Sequence, residues 1–499
     1  MLSGGHQIVR GARLLDGDAY RGDRADLLIE GDTIREIGQP GLGAPEGALE
    51  VDASDRLILP GLVNAHTHGD ATLAKGLGDR WTLELLLNAQ PMRRDGVRLE
   101  DKALGARLAA AEMALSGCTA CYDLFSEFPA PTQEGLEAVG RSYAEVGIRA
   151  VVAPLMADRS FWRAIPGLYG ALPEPLQGEI DRIAGAPSEV CLANCRAAVR
   201  DWSLDRDQVR LALAPTIPHH CADDFFRACR AMANDLGLGI HTHVAESKVQ
   251  AVVGREAYGK TLTAHLGDLG LIGPDFTAAH AVWVDDADLR ILADGGASIA
   301  HNPTSNLRLG VGLARVRAML ELGLSVGIGT DTSTCSDLLN MFEAMRLACY
   351  VSRAQSPDPG EWLTAEQVLV MATQGSARGL GMADVIGRLA PGLKADLVFL
   401  DLAGLAYVPL NHAARQVVFQ EAGAGVESVM VGGRFVVRDR QLLTVDLDRL
   451  RRDAEAANER LVAANRAGVD LVRHLEPIVG AFCVGLAKEP YHVHRYADH

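Results

Sequence analysis

The 499-residue sequence lacks any uninterrupted run of about 18 apolar residues, so we expect no membrane span. Its N-terminus, MLSGGHQIVRGARLLDGD, has neither a long apolar core nor a small-residue cleavage site, so we expect no secretory signal. Nine cysteines are too few for a disulfide framework in a chain of this length. We therefore expect a cytoplasmic protein with free thiols.

Positive charge is also scarce, because 48 Lys and Arg residues face 64 Asp and Glu residues and leave a formal net charge of −16. Such a surface repels nucleic-acid phosphates and anionic lipid. We expect neither nucleic acid nor membrane as a partner, and a small molecule as the substrate. The hydrophobic share of 48% and the charged share of 22% are those of an ordinary globular protein, which excludes disorder.

The central part of the chain repeats one pattern, a short apolar run followed by a stretch with helical periodicity. Eight such runs occur, at 57–68, 118–124, 148–156, 209–215, 238–246, 276–284, 297–303 and 324–331. Eight consecutive βα units are typical of a (β/α)8 TIM barrel in the α/β class. We therefore predict a barrel domain over residues 58–391.

The segments on either side of this block have a different texture. Residues 1–57 and 392–446 alternate short β-like runs with Gly and Asp turns, including a hairpin around Gly432 and Gly433. Each segment alone has too few strands for an independent sheet, so we predict one small discontinuous β-sandwich domain. Residues 447–499 are predicted to be a C-terminal helical extension that begins with an amphipathic helix over 447–475, its charged face solvated.

Polar residues crowd the ends of the predicted strands, where barrel enzymes place their chemistry. His66 and His68 share one face of the first strand, and His243, His280 and Asp331 mark strands five, six and eight. Imidazoles and a carboxylate suit a borderline cation such as zinc, and three His with one Asp leave room for an activated water. A single His-x-His can be a buried structural pair, and Asp331 can simply cap a helix. Because these residues coincide at four strand ends, a metal site is favoured.

The sequence resembles the amidohydrolase superfamily, in its branch of mononuclear-metal aminohydrolases and chlorohydrolase-like triazine hydrolases. The stretches that carry the resemblance span nearly the whole chain: LPGLVNAHTH, GIHTHVAES, TAAHAVWVDDADLRILADGGASIAHNPTSNLRLGVG, VGIGTDTSTCSDLLNMFEAMRLA and PGLKADLVFLD.

The resemblance implies one divalent metal ion, Zn²⁺ with Fe²⁺ or Mn²⁺ as alternatives. The implied metal ligands are His66, His68, His243 and Asp331. The implied catalytic residues are Glu246 as the proton shuttle and His280 as the residue that holds the attacking water together with Asp331.

The residues alone leave two of these roles open. A carboxyl group three residues past a ligand can transfer protons to a ring nitrogen and to departing ammonia, but Glu246 can also be a first-turn helix residue. His280 can be a fourth imidazole ligand.

The expected function is a metal-dependent hydrolase in which an activated water removes ammonia, an alkylamine or chloride from an aromatic N-heterocycle. One alternative is hydrolysis of the C–N bond of a cyclic or acyclic amide. Another is a catalytically silent scaffold, which the retention of all six site residues opposes. We also expect a homo-oligomer, dimer or higher.

The substrate wall departs from the family pattern. Thr216 follows Pro215 where nucleoside deaminases of this branch usually carry Pro-His, and Asn340 stands at a usual Asp position. Both departures argue against a standard adenosine-type substrate. The residues expected to contact substrate are Trp81, Gln90, Tyr122, His219 and Asn306. Further wall candidates are Arg93, Phe125, Asp158, Phe161 and Trp162. His219 and His220 can be displaced substitutes for the missing histidine or merely surface residues.

Overall fold

The strands of the chain fall into three sheets in the computed structural model, which describes residues 5–17 and 19–496. In chain order these strands are β1 His6–Asp16, β2 Ala19–Glu30, β3 Thr33–Gly38, β4 Leu49–Asp52, β5 Arg56–Pro60, β6 Leu62–Thr67, β7 Cys118–Phe125, β8 Arg149–Met156, β9 Val209–Leu211, β10 Ala214–Pro215, β11 Ile240–Val244, β12 Phe276–His280, β13 Ser298–His301, β14 Ser325–Ile328, β15 Leu397–Asp401, β16 Val426–Val431, β17 Arg434–Arg438 and β18 Gln441–Leu442.

Helices alternate with the central strands and enclose them. The α-helices are α1 Leu83–Asn88, α2 Leu99–Leu115, α3 Gln133–Val146, α4 Phe161–Ala164, α5 Leu168–Ala171, α6 Glu174–Asp181, α7 Ser188–Arg200, α8 Asp223–Leu236, α9 Lys248–Tyr258, α10 Leu262–Asp268, α11 Asp286–Asp294, α12 Pro303–Arg308, α13 Val316–Glu321, α14 Met341–Gln355, α15 Ala365–Val370, α16 Ser376–Gly379, α17 Ala413–Phe419, α18 Leu447–Ala464 and α19 Arg466–Lys488. Shorter 3₁₀ segments cover Gly69–Ala74, Gln90–Arg93, Pro218–His220, Pro359–Glu361 and Leu405–Tyr407, and a π-helical turn covers Met371–Gly375. Within the described ranges, no helix is both long and apolar enough to cross a bilayer.

Two of the sheets are entirely parallel and carry the predicted α/β pattern. One has the order β10-β8-β7-β6 with β9 beside β8, and the other has the order β11-β12-β13-β14. Single parallel bridges join them at both margins, from Leu213 to Ile240 and from Thr67 to Asp331. Strands buried on both faces need apolar residues throughout, which explains the continuous apolar runs in the sequence. All these strands end at the same side of the molecule, where the polar residues lie.

Strands from both ends of the chain meet in the third sheet, which we call the nine-stranded sheet. Its order is β18-β17-β16-β15-β5-β1-β2-β3, with β4 beside β1. The junction is the antiparallel pair β5–β15, in which Leu59 lies opposite Val398. The predicted hairpin joins β16 to β17, and both Gly432 and Gly433 have positive φ, as its tight turn requires.

Two predicted strands were wrong in their extent. The run 57–68 is two strands, because β5 pairs in the third sheet and β6 opens the parallel sheet. Gly61 lies between them, and a Cβ there would collide with the side chain of Thr119. The run 209–215 is likewise divided into β9 and β10.

The predicted C-terminal helix is also divided, into α18 and α19. Asn465 separates them, and its side chain accepts a hydrogen bond from Asp95 N and donates one to Asp95 O. The second helix buries Leu475, Val479 and Cys483 in an apolar cluster instead of lying free in solvent.

Candidate active site

The carboxyl ends of the parallel strands bring the five predicted ligand and water-holding residues together. His68 follows β6 directly, His243 is in β11, and Asp331 lies three residues beyond β14. The Nε2 atom of His68 lies 3.4 Å from Nε2 of His243 and 3.3 Å from Oδ1 of Asp331. His66 Nε2 lies 3.6 Å from the same Asp331 oxygen. Three imidazoles and one carboxylate therefore converge on one point.

Hydrogen bonds to the backbone fix how two of these rings face the cluster. His68 Nδ1 donates to Leu124 O at 2.7 Å, and His243 Nδ1 donates to Thr216 O at 2.8 Å. A carbonyl oxygen only accepts, so each Nδ1 carries the proton and each Nε2 presents its lone pair to the cluster. This arrangement is the one that metal-binding imidazoles use.

His66 differs because its ring is held by another histidine. Its Nδ1 lies 3.2 Å from Nε2 of His241, whose ring packs 4.5 Å from that of Tyr122. His66 Nε2 is buried and has no hydrogen-bond partner among the described residues. An isolated buried nitrogen of this kind costs free energy unless a ligand satisfies it.

The spacing of the cluster fits a small divalent cation. Zinc bonds of about 2.0–2.1 Å in a tetrahedron put neighbouring ligand atoms roughly 3.3–3.4 Å apart. The separations of 3.3, 3.4 and 3.6 Å are close to that value. Three neutral nitrogens with one carboxylate are also a donor set that zinc accepts.

Asp331 is held as a carboxylate. Burial alone would raise its pKa, but the adjacent His66 and His68 rings keep that pKa well below its ordinary value. Ser305 Oγ donates to its Oδ2 at 2.6 Å, and the Thr332 N–H donates to its Oδ1 at 2.8 Å. The residue is therefore negatively charged and fixed in orientation.

Glu246 and His280 lie beside the cluster, and both are held in their uncharged forms. Burial, together with the negative charge of Asp331, raises the pKa of Glu246 well above its ordinary value, which favours the acid form. Burial lowers the pKa of His280, which favours the neutral ring. His280 Nε2 lies 3.6 Å from Glu246 Oε2 and 3.9 Å from Asp331 Oδ2, and its Nδ1 contacts Asn306 Oδ1 at 2.9 Å.

A cavity of about 1140 Å³ leads from the surface to this cluster. Its inner end is formed by His68, His243, Glu246 and Asp331. Gln90, one of the residues expected to contact substrate, lines the wall. So do four further candidates from the sequence, Arg93, Asp158, Phe161 and Trp162.

The other four residues expected to contact substrate are absent from the described residues that line this cavity. Tyr122 packs on His241 in the core, and Asn306 holds the His280 ring. Trp81 lines a separate small crevice. His219 is buried behind His220, with the two rings 4.6 Å apart. Strand alternation and loop packing turn these four side chains away from the opening, and their contact with substrate stays a prediction.

His220 takes the place that was expected for His219. It lines the cavity, is 5% exposed, and has an Nε2 atom with no hydrogen-bond partner in the described part of the chain. The alternative that this pair lies on the surface is wrong. Phe125 is buried in the core away from the cavity.

The outer wall includes residues that no sequence pattern had marked as part of the site. The C-terminal helices contribute Asn458, Leu461, Val462, Asn465 and Val469. The apolar residues at helical spacing in 466–488 were the available signal, because they indicate that α19 packs on the protein. Nothing in the sequence indicates on which side of the parallel strands it packs.

The family model of the amidohydrolase family matches residues 57–436. The chain belongs to the amidohydrolase family. This match confirms the resemblance seen in the sequence, and it covers all the strands that carry the site.

Individual relatives extend this comparison over most of the chain. A 5'-deoxyadenosine deaminase of Methanosarcina mazei is 31% identical over 461 residues, which are 91% of this chain and 98% of the relative. The structure of an adenosine deaminase from Xanthomonas campestris with bound zinc superposes with a TM-score of 0.81 at 26% identity, covering 92% of this chain and 99% of that one. The structure of an atrazine chlorohydrolase from Arthrobacter aurescens complexed with zinc gives 0.80 at 27% identity, covering 91% and 99%.

Proposed function

We propose that this member of the amidohydrolase family is a metal-dependent hydrolase that deaminates an aromatic N-heterocycle. It acts on carbon–nitrogen bonds other than peptide bonds. The observation that carries the proposal is the convergence of His66, His68, His243 and Asp331 at 3.3–3.6 Å beside the buried acid Glu246. The named activities of its relatives, deamination and chloride removal, both add a water oxygen to an electron-poor ring carbon.

One zinc ion per chain fits this site, with Fe²⁺ or Mn²⁺ as alternatives. His66, His68, His243 and Asp331 would hold it, and His243 is followed by Val244, so no lysine is adjacent to bridge a second ion. When bound, zinc lowers the pKa of a water molecule to about 7 and thereby supplies hydroxide at neutral pH.

Glu246 and His280 carry the proton transfers and the orientation of water. His280, neutral and held at Nδ1 by Asn306, uses Nε2 to accept a hydrogen bond from the attacking water. Glu246 in its acid form donates a proton to the ring nitrogen as the oxygen adds to the neighbouring carbon. Its carboxylate then takes the proton of the added hydroxyl group and passes it to the amino group. The C–N bond breaks, ammonia leaves, and a proton from the next water restores the acid.

A ring substrate is favoured over an amide by the shape and chemistry of the wall. Phe161 and Trp162 offer aromatic surface, while Gln90 and His220 offer hydrogen-bonding edges. A flat heterocycle uses both kinds of contact. Amide hydrolysis remains the second candidate, since the same site can attack a carbonyl carbon.

We further propose that the two parallel sheets form one closed (β/α)8 barrel over 58–391. The bridges Leu213–Ile240 and Thr67–Asp331 support closure, because they join the margins of the sheets. Residues 1–57 with 392–446 would be the small β-sandwich domain, and 447–499 the extension. All nine cysteines are unpaired and buried, which favours the reducing cytoplasm.

Metal analysis and an ammonia assay test the proposal together. Purified protein loaded with zinc is mixed with purines, adenine nucleosides including 5'-deoxyadenosine, pterins, pyrimidines and triazines. We expect about one metal ion per chain and ammonia release from one ring class. Two equivalents that are both required for activity would contradict the single-metal site. Turnover of amides but of no heterocycle would favour the second candidate, and none at all would favour a silent scaffold. Light scattering checks the homo-oligomer, which stays a prediction.

A further inference from the structure

The segment that follows α19, residues 489–496, lies across two loops at the catalytic side of the parallel strands; we call it the C-terminal strap. Arg495 Nε donates to Val282 O at 3.0 Å, and its Nη2 donates to Val284 O at 2.5 Å. The Arg495 carbonyl accepts from Leu313 N at 2.7 Å. The strap therefore joins the loop after β12 to the loop that follows α12.

Ring contacts and a histidine–carboxylate hydrogen bond reinforce this attachment. Trp283, between the two bound carbonyls, has its ring 5.1 Å from Tyr496 and 6.2 Å from Tyr491. Its Nε1 donates to Val311 O at 2.6 Å. His492 Nε2 lies 2.8 Å from Asp285 Oδ2. The loop from Ala281 to Asp285 is thus covered by the end of the chain.

This loop is tied directly to the segment that carries Glu246. The Trp283 N–H donates to Ala245 O at 2.8 Å, and the Ala281 N–H donates to Val244 O at 3.1 Å. Val244 and Ala245 immediately precede Glu246, and Ala281 immediately follows His280. Any movement of the loop therefore moves both residues proposed to handle protons and water.

The backbone at this junction adopts an unfavourable conformation. His280 has φ of 66°, and Ala281 and Ala245 each have φ of 47°. A residue other than glycine held in this region costs about 1–3 kcal/mol and persists only where its surroundings fix it. The strap supplies such surroundings, because it binds the loop one to three residues beyond Ala281.

We propose that Arg495 is a positioning residue that holds His280 and Glu246 in their working arrangement; their roles rest on the proposed function. The side chain suits the task, since a planar guanidinium can donate to two carbonyls at once. Burying this charged group without a carboxylate partner also costs desolvation free energy. Arg495 is 9% exposed, and no carboxylate of the described residues lies within ion-pair distance of it. Apolar residues would anchor a chain end at lower cost, so the precise carbonyl contacts are what the arrangement provides.

The test compares two arginines that bind backbone carbonyls. Arg495→Ala removes the strap contact, and Arg346→Ala is the matched control. Arg346 is partly buried, donates to Val418 O at 3.3 Å and to Glu421 O, and is not among the described residues that line the cavity. Zinc content, thermal unfolding, kcat, KM and hydrogen exchange of the 276–285 amides are measured for both.

We expect Arg495→Ala to lower kcat about 10- to 100-fold, because small displacements of catalytic groups cost this much. KM and zinc content should change little, exchange in 281–285 should accelerate, and Arg495→Lys should recover part of kcat. Arg346→Ala should lower the unfolding temperature and leave kcat unchanged. If Arg495→Ala does not fold, Arg495→Lys carries the same comparison, with a smaller loss of kcat and faster exchange expected.

Each outcome decides between the two proposals. Unchanged kcat with lowered unfolding temperature would make Arg495 merely structural and overturn the inference. Unchanged exchange in 281–285 would overturn it as well. Accelerated exchange in a protein that turns over no heterocycle would refute the proposed function and retain the positioning role.

Discussion

Two buried carboxylates in and beside the nine-stranded sheet, Asp26 and Asp396, differ in hydrogen bonding from two buried histidines at the catalytic ends of the parallel strands. Where the nine-stranded sheet meets the parallel strands, Arg149 at the start of β8 donates through Nε and Nη2 to Asp396, just before β15, at 2.8 and 3.0 Å. Asp26 accepts from Arg10 and from the backbone of Gly11. At the strand ends, by contrast, His66 Nε2 and His220 Nε2 have no partner within the described chain. Satisfied groups stabilise a fold, whereas buried groups left open indicate a ligand.

The backbone differs in the same sense. Within the described residues, the nine-stranded sheet places non-glycine residues at positive φ only at Asp439 and Arg440, in the tight turn between β17 and β18. The catalytic side does so at Ala245, His280 and Asp331, where no hairpin requires it. The backbone strain at Asp439 and Arg440 is confined to one turn. The strain at Ala245, His280 and Asp331 instead fixes the directions of side chains at the site.

The largest expected effect separates chemistry from metal binding. Glu246→Gln keeps the volume of the side chain but removes its exchangeable acid proton, so kcat should fall about 10²–10⁴-fold while zinc stays bound. Asp331→Asn should lower both zinc content and kcat, because a charged ligand becomes neutral. Metal analysis and kcat are measured side by side. Near wild-type turnover of Glu246→Gln, or loss of its zinc, would contradict its role as the proton shuttle.

The next largest effect is expected at the buried ion pair of Arg149 and Asp396. Arg149→Met leaves Asp396 buried without its cation, which should lower the free energy of unfolding by about 3–5 kcal/mol. Urea unfolding measures this loss, and kcat of the folded protein should not change. The double change Arg149→Met with Asp396→Leu is the control, because it removes both charges and should restore much of the stability. A large fall in kcat of Arg149→Met would mean that this pair is coupled to the site.

A smaller effect is expected where the cavity wall meets the substrate. His220→Ala removes a side chain that lines the cavity and whose Nε2 has no hydrogen-bond partner among the residues that the structure describes. Losing one hydrogen bond to a ring substrate costs about 0.5–1.5 kcal/mol, so KM should rise up to about tenfold with kcat nearly unchanged. His219→Ala is the matched control, since this neighbour is buried and does not line the cavity. Equal changes in both variants would indicate a loss of packing instead of a lost contact.

The contrast between the regions also explains what could be predicted from the sequence. Apolar runs and the His-x-His spacing reflect strand burial and side-chain alternation, which depend on residues that are near in sequence. The parallel strands and the convergence of His66, His68, His243 and Asp331 could therefore be expected. The substrate wall depends on which way loops turn and on which distant segments pack beside them. His220 instead of His219, and the walls from α18 and α19, depend on such packing. The division of 57–68 depends on Leu59 finding its partner Val398 far along the chain.

The smallest effect tests whether Asn340, at a family position usually held by Asp, serves structure or chemistry. Its Oδ1 accepts from Phe342 N at 2.9 Å and caps α14, and its Nδ2 donates to Ala422 O at 2.9 Å. Asn340→Ala should therefore lower the free energy of unfolding by about 1 kcal/mol without changing kcat or KM. Asn340→Asp keeps the cap and gains about 0.3–1 kcal/mol from the helix dipole. It also loses the bond to Ala422, so its stability should stay close to that of the natural chain. Thermal unfolding of the two variants measures this difference in stability. A changed KM in Asn340→Asp would show that position 340 acts on substrate, as the groups at the catalytic ends of the parallel strands do.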